Sequence, residues 1–143
     1  MLEHFVAAQD RVYAEVTAEL RAGRKQTHWM WFIFPQLTGL GRSPMAERYG
    51  LADLTAARAY LAHEVLGPRL RSCTKLVNAV AGRTAHEIFG SPDDLKFRSS
   101  MTLFARADPA EPAFRAALDR YYGGSEDPRT LARLGDAAGN AEM

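Results

Sequence analysis

The fold class is decided by the stretch Trp29-Met30-Trp31-Phe32-Ile33-Phe34-Pro35, the longest apolar run in the chain. On propensity alone this aromatic run could form a β-strand. An isolated strand would leave its backbone N–H and C=O groups without partners, however, and no second convincing strand is present elsewhere in the sequence. We therefore predict that the run is irregular or helical and that the fold is all-α.

Apolar residues recur at spacings of three and four on both sides of this run, which is the pattern of amphipathic helices. The longest such stripe predicts a first helix over about residues 2–22, with Gly23 as its stop. Caps, prolines and glycines mark the other helices: Ser43-Pro44 to Gly50, Asp53 or Thr55 to about His63, Gly67-Pro68 to Val80, Thr84 with Glu87 to Gly90, Ser91-Pro92-Asp93-Asp94 onward, Phe114 to Gly123-Gly124, and Asp127-Pro128 to Leu134. We predict a single compact domain of about seven helices over residues 1–134, with an irregular aromatic-rich segment between helices 1 and 2 and a flexible C-terminal tail over residues 135–143.

Composition narrows the classes of function. The chain has 143 residues, of which 47% are hydrophobic, as in an ordinary globular domain. The 18 basic and 17 acidic residues give a net charge of +1, which argues against a protein that grips nucleic-acid backbones over its whole surface. Only three of the basic residues are lysines: Lys25, Lys75 and Lys96.

Cofactor and targeting signals are missing from the sequence. The single cysteine, Cys73, cannot form an internal disulfide, and no two histidines have the spacing of a helical metal site. The longest apolar run is far shorter than the ~20 residues that span a bilayer, and Glu3 and Asp10 argue against a signal peptide. We expect a cytoplasmic protein with no metal, no cofactor, no membrane association and no nucleic-acid partner.

The aromatic run is also the first candidate functional segment. Trp29 and Trp31, the two tryptophans of the protein, lie between Lys25 and His28 on one side and Gln36 on the other. Large aromatic surfaces edged by hydrogen-bonding groups suit a pocket for a ring-bearing ligand, where a histidine could act as a general acid or base. The alternative is an aromatic core with structural polar groups at its edge.

A second candidate segment follows directly, Gly39-Leu40-Gly41-Arg42-Ser43. It combines a flexible backbone, an arginine and the start of a helix, and backbone N–H groups at a helix start together with Arg42 can bind an anion. The alternative is an ordinary loop in which Ser43 caps the next helix.

The third candidate segment, residues 93–102, concentrates polar groups on one helix. Lys96, Ser99 and Ser100 share a face, and serine is only moderately favourable inside helices. Their hydroxyls are therefore expected to pair with a backbone carbonyl, a neighbouring helix or a ligand. The alternative is that small residues let helices pack closely while Lys96 is solvated or paired with an acid. The common hydrolase, kinase and dehydrogenase motifs are missing from the chain.

Three motifs together resemble the domain-of-unknown-function 1810 family. They are Lys25-x-Thr27-His28-Trp29-Met30-Trp31-Phe32-Ile33-Phe34-Pro35-Gln36 followed by Gly39-Leu40-Gly41-x-Ser43, then Tyr60-Leu61 with Leu66-Gly67-x-Arg69-Leu70, and finally Phe89-Gly90-x-x-Asp93-Asp94-x-Lys96-Phe97-x-Ser99-Ser100-Met101-Thr102-Leu103-Phe104. The resemblance runs from about Phe5 to Leu134. It implies a small, mainly helical single domain and implies no reaction. A more distant likeness to the NADAR group, helical proteins that cut N-glycosidic bonds in nucleotide-like substrates, rests on general architecture.

Our first hypothesis of function is a pocket formed by residues 25–43 and 93–102 for a small anionic, ring-bearing ligand that is nucleotide-like or ADP-ribose-like. Arg42, Arg69 and Lys96 would hold the anionic group, and a tryptophan would stack on the ring.

The pocket could also hydrolyse an N-glycosidic bond without a metal, in which case His28 or Asp94 would move a proton or polarise water. This hypothesis expects one concave pocket that joins His28, Arg69 and Lys96. Our second hypothesis is a non-catalytic interaction module whose aromatic segment is structural core or a groove for a partner.

Overall fold

The computed structural model describes the backbone of residues 2–142 and the side chains of residues 2–135. Within that part of the chain there are ten helices and no strand, which confirms the all-α prediction. The helices are α1 (Glu3–Asp10), α2 (Tyr13–Ala22), α3 (Met30–Ile33), α4 (Pro44–Arg48), α5 (Leu54–Ala62), α6 (Leu66–Asn78), α7 (Ala85–Phe89), α8 (Asp93–Ala107), α9 (Pro112–Tyr122) and α10 (Pro128–Glu142).

Four residues of the aromatic run form the short helix α3, whereas Trp29 and Phe34 on either side of it have non-helical backbone, so the run is partly helical and partly irregular. Most of it lies in the core. Trp29, Phe32 and Phe34 are at most 6% exposed. Phe34 packs edge-on against Phe97 of α8, with ring centroids 4.9 Å apart. The run therefore links the N-terminal helices to the helix at the centre of the fold.

Helix α8 is that centre, since it packs against α3, α5, α7, α9 and α10. Phe97, Met101 and Phe104 are fully buried along its length. Its polar residues Ser99, Ser100 and Thr102 are buried as well, so α8 carries both the core and a row of hydroxyls toward its neighbours.

The predicted first helix over residues 2–22 is wrong in one respect, because it breaks at Val12 into α1 and α2. Val12 has φ −132° and ψ 0°, outside the helical region. No proline or glycine marks the break. It places Gln9, which is 1% exposed, so that its side-chain amide donates to the carbonyl of Phe32 at 2.7 Å and to Tyr60 Oη at 2.9 Å. This tertiary contact leaves no local signal in the sequence. The break and α3 each add one helix, and the described part of the chain has ten helices where about seven were predicted.

Several predicted helix ends are confirmed. Ser43 and Asp53 cap α4 and α5 by accepting from Ala46 N and Ala56 N, and Thr84 with Glu87 forms the capping box of α7. These are local hydrogen bonds, which is why sequence predicts them well.

Two other boundaries differ from the prediction. The N-cap of α8 is Pro92 rather than Ser91, and no side chain caps that end. Helix α10 continues to Glu142 instead of ending at Leu134. The predicted flexibility of residues 135–143 stays a prediction, because most of the side chains of this segment lie outside the described part of the chain.

The loop between α3 and α4 is held by one isolated β-bridge between Leu37 and Leu51, which consists of two backbone hydrogen bonds. Thr38 N donates to the Leu51 carbonyl and Leu51 N donates to the Gln36 carbonyl, each at 2.9 Å. The bridge fixes the position of Gln36 and of the glycine-rich segment that follows it.

Candidate functional site

A cleft of about 310 Å³ opens between the α3–α4 loop, the first turns of α8 and the start of α10. It is lined by Gln36, Leu40, Gly41, Arg42, Ser43, Ala46, Pro92, Leu95, Lys96, Ser99, Asp127 and Arg129. Two of the segments singled out in the sequence, residues 39–43 and 93–102, thus meet at one cleft. Its volume is at the lower end of the range for small-molecule sites.

Five of the residues proposed from sequence line this cleft: Gln36, Arg42, Ser43, Lys96 and Ser99. Arg42 is exposed and makes no hydrogen bond or ion pair to the described residues. The structure therefore leaves its guanidinium available to a ligand.

Lys25 and Lys96 share one carboxylate, that of Asp93 in the first turn of α8. Lys25 Nζ lies 2.9 Å from Asp93 Oδ2, whereas Lys96 Nζ lies 3.7 Å from Oδ1. The Lys25 side chain is 8% exposed and that of Lys96 is 28% exposed. Two ammonium groups thus share one carboxylate, which leaves one excess positive charge beside the cleft.

Each of these lysines lies over a tryptophan ring. Lys25 Nζ is 5.1 Å from the ring centroid of Trp29, and Lys96 Nζ is 5.2 Å from that of Trp31. Such contacts stabilise an ammonium group at its place without neutralising it. Lys25 also donates to the carbonyl of Thr27 at 2.6 Å, which makes it a positioning residue of the 25–29 segment.

The tryptophans have different surroundings. Trp29 is 1% exposed and belongs to the core, so its ring is not offered to a ligand. Trp31 is partly exposed and lines a shallow depression that shares Gln36, Gly41 and Ala46 with the cleft. Of the two rings, only that of Trp31 adjoins the cleft.

His28 and Arg69 do not line this cleft, whereas the first hypothesis expected one pocket to join them to Lys96. His28 is exposed. Arg69 pairs with Asp10 at 2.8 Å, and its guanidinium lies 4.7 Å from the ring centroid of Tyr13. Arg69 thus ties α6 to the break between α1 and α2.

Asp94 and Ser100 also lie outside the cleft lining. Asp94 Oδ1 accepts from Leu95 N at 3.0 Å, and Oδ2 lies 3.5 Å from His86 Nδ1. Ser100 is fully buried, and its Oγ has no hydrogen-bond partner among the described residues. Its small side chain fits the close-packing alternative.

Two charged cleft residues were missed by sequence reasoning, Asp127 and Arg129. Asp127 Oδ2 accepts from Ser99 Oγ at 3.0 Å, from Thr130 N at 3.0 Å and from Thr130 Oγ1 at 2.5 Å. Arg129 Nη2 donates to the carbonyl of Leu40 at 2.8 Å and so attaches α10 to the glycine-rich segment. The sequence identifies Asp127-Pro128 only as a helix start, and nothing local indicates that this start lies at the same cleft as Lys96.

Glu19 of α2 was also missed, although it organises the aromatic segment. Its carboxylate accepts from Gln26 N at 2.6 Å, Thr27 N at 3.0 Å, Thr27 Oγ1 at 2.7 Å and Trp29 Nε1 at 3.1 Å. Partial burial alone would raise the pKa of Glu19, but hydrogen bonds from Thr27, Gln26 and Trp29 outweigh it and lower the pKa.

Within the described part of the chain, no group of three or more histidine, cysteine, aspartate or glutamate side chains is arranged to hold a metal ion. No described helix has the length and apolarity needed to cross a membrane.

Comparison with known proteins places the chain in a family. The crystal structure of the conserved hypothetical protein Rv1873 from Mycobacterium tuberculosis is 63% identical and has a TM-score of 0.93, over 94% of this chain and 96% of that chain. No curated protein matches the chain. Residues 1–134 match the family model described as "Protein of unknown function (DUF1810)", and the chain therefore belongs to that family, as its three motifs indicated.

Proposed function

We propose that the cleft binds a small anionic ligand that carries a ring. The observation behind this proposal is that Lys25 and Lys96 share the single carboxylate of Asp93, which leaves one excess positive charge beside the cleft that Lys96 lines. Arg42 and Arg129 add two further cations, whereas Asp127 is the acid among the lining residues. The lining thus has a formal charge of +2, being three cations less one carboxylate.

The remaining lining suits an organic anion better than a simple ion. Leu40, Pro92 and Leu95 supply apolar walls, and Leu95 is 58% exposed, which is unusual for a large hydrophobic residue of this protein. Trp31 adjoins the cleft with the polar amide of Gln36 between them. An apolar or aromatic moiety next to an anionic group would contact both kinds of wall.

Calorimetric titration with adenosine monophosphate at low ionic strength tests this proposal. The wild type should show saturable binding, and Lys96→Ala should weaken it by about tenfold or more, because a charge-assisted hydrogen bond contributes about 1.5–3 kcal/mol. Lys75→Ala is the matched control, since Lys75 is an exposed lysine on α6 that does not line the cleft. His28→Ala should also leave binding unchanged. Equal affinities for Lys96→Ala and Lys75→Ala would contradict the proposal.

Hydrolysis of an N-glycosidic bond is a second candidate, favoured by the carboxylate of Asp127. In such a reaction the C–N bond breaks, water adds to the anomeric carbon and the leaving nitrogen gains a proton, while a carboxylate stabilises the oxocarbenium-like transition state. Asp127 lines the cleft, which His28 and Asp94 do not. Release of free adenine from adenosine monophosphate, measured by chromatography and lost in Asp127→Asn, supports hydrolysis. Saturated binding without release refutes hydrolysis and leaves the binding proposal intact.

In the interaction-module hypothesis the aromatic segment is either structural core or a groove for a partner. Trp29, Phe32 and Phe34 are buried in the core, so these three rings do not offer a surface to a partner. The part of that hypothesis that treats the aromatic segment as structural core agrees with this burial.

A further inference from the structure

Asp127 is an acid in a cleft that is otherwise basic. Bound inorganic phosphate would gain from Lys96, Arg42 and Arg129 but would be repelled by this carboxylate. A carboxylate in such a place favours a ligand that presents a hydrogen-bond donor to it and an anionic group to the cations.

The two oxygens of Asp127 have different environments. Oδ2 accepts from Ser99 Oγ, Thr130 N and Thr130 Oγ1, which fixes the orientation of the carboxylate. Oδ1 accepts no hydrogen bond from the described residues. The carboxylate is therefore rigidly held and keeps one oxygen as an acceptor for a ligand.

Lys96 and the serine that anchors Asp127 both lie on α8. Lys96 and Ser99 are three residues apart on the helix, a rise of about 4.5 Å, and Ser99 Oγ lies 3.0 Å from Asp127 Oδ2. Lys96 and Asp127 thus line the same cleft, and the residue that anchors Asp127 lies less than one turn of α8 from Lys96. A phosphoryl group and a hydroxyl separated by a few bonds in one molecule can reach both.

Building on the anion-binding function proposed above, we propose that the ligand is a phosphorylated polyol, such as a sugar phosphate or the ribose phosphate part of a nucleotide. Its phosphoryl group contacts Lys96, and one of its hydroxyls donates to Asp127. Asp127 is then the residue that selects a phosphorylated polyol over inorganic phosphate.

The substitution Asp127→Asn tests this selection while preserving the helix start. Asparagine caps helices about as well as aspartate, so the hydrogen bonds at the start of α10 can persist. The change removes the negative charge and offers an N–H donor to the cleft, which favours phosphate and weakens the hydrogen bond from a hydroxyl.

The measurement is calorimetric titration of wild type and variant with ribose 5-phosphate and with inorganic phosphate. The wild type should prefer ribose 5-phosphate by tenfold or more, and Asp127→Asn should reduce that preference by about five- to tenfold. Phosphate alone should bind the variant at least as tightly as it binds the wild type. Asp53→Asn is the matched control, because Asp53 caps α5 in the same way and does not line the cleft.

The possible results separate this inference from the proposal it rests on. If wild type binds both probes with Lys96-dependent affinity but Asp127→Asn keeps the full preference, the selection by Asp127 is refuted and anion binding stands. If wild type binds phosphate and ribose 5-phosphate with equal affinity, the selection by Asp127 is likewise refuted and anion binding stands. If neither probe binds saturably, the inference fails, and the titration with adenosine monophosphate decides the binding proposal separately. Thermal unfolding of the variant within a few degrees of wild type confirms that the comparison is made on folded protein.

Discussion

Replacing Glu19 by alanine removes the four hydrogen bonds that its carboxylate accepts from residues 26–29. Three of their donors belong to exposed residues and can turn to water at little cost. The fourth, Trp29 Nε1, belongs to a ring that is 1% exposed. An unpaired donor in the core costs about 1–3 kcal/mol, and the lost charge-assisted bonds of the partly exposed carboxylate add a fraction of that.

We therefore expect Glu19→Ala to lower the free energy of unfolding by about 2–3 kcal/mol, which corresponds to roughly 8–12 °C in melting temperature at about 4 °C per kcal/mol. Glu19→Gln should cost only about 1 kcal/mol, since its amide oxygen can still accept from Trp29. The assay is urea unfolding followed by tryptophan fluorescence. Glu15→Gln on the same helix is the control and should change stability by less than about 0.5 kcal/mol, because Glu15 is exposed.

The sign of the pH dependence follows from the lowered pKa of Glu19. A carboxyl whose pKa falls on folding stabilises the protein above its unfolded pKa, and that contribution is lost as the pH falls through the folded pKa. The stability gap between wild type and Glu19→Gln should thus be complete at neutral pH and shrink below pH about 4. A difference in stability between wild type and Glu19→Gln that widens as the pH falls would refute the reasoning. An equal loss of unfolding free energy in Glu15→Gln and Glu19→Ala would refute it as well.

Three further outcomes are expected. Phe97→Ala should destabilise the protein by about 3–5 kcal/mol in urea unfolding, since the ring is fully buried between Phe34 and Phe89, whereas Leu95→Ala on the same helix should cost under about 1 kcal/mol. Burial raises the pKa of the Cys73 thiol to about 11. Its reaction with a disulfide reagent at pH 8 should therefore be at least about a hundredfold slower in the folded protein than in denaturant. Folded and denatured rates within tenfold of each other would contradict this. Asp53→Ala should lower the unfolding free energy by about 0.5–2 kcal/mol through the lost cap of α5, and Asp53→Ser should restore most of it.

The features predicted correctly from sequence are those with a local cause. The capping side chain of Ser43, the capping box of Thr84 with Glu87, and the left-handed Gly123 with φ 62° that ends α9 all act within one helical turn. The all-α class followed from the lack of any partner for a strand in the aromatic run.

The features that were missed depend on contacts between distant parts of the chain. The break at Val12 accompanies bonds from Gln9 to Phe32 and Tyr60, and neither partner is near it in sequence. Lys96 was proposed from sequence as a site residue, but Asp127, which lines the same cleft, follows 31 positions later and reaches it only through the packing of α10 on α8.

The contacts that attach α10 to the rest of the fold affect how fast its backbone amide hydrogens exchange with solvent. The amide of Thr130 donates to the side chain of Asp127, and Arg129 holds the Leu40 carbonyl. A ligand that contacts Asp127 and Arg129 would strengthen the docking of this terminal helix, since binding to the docked state opposes its opening. Slower hydrogen–deuterium exchange at Thr130 and Leu131 would then report occupancy of the cleft, and a tag fused after residue 143 could disturb a site it never touches.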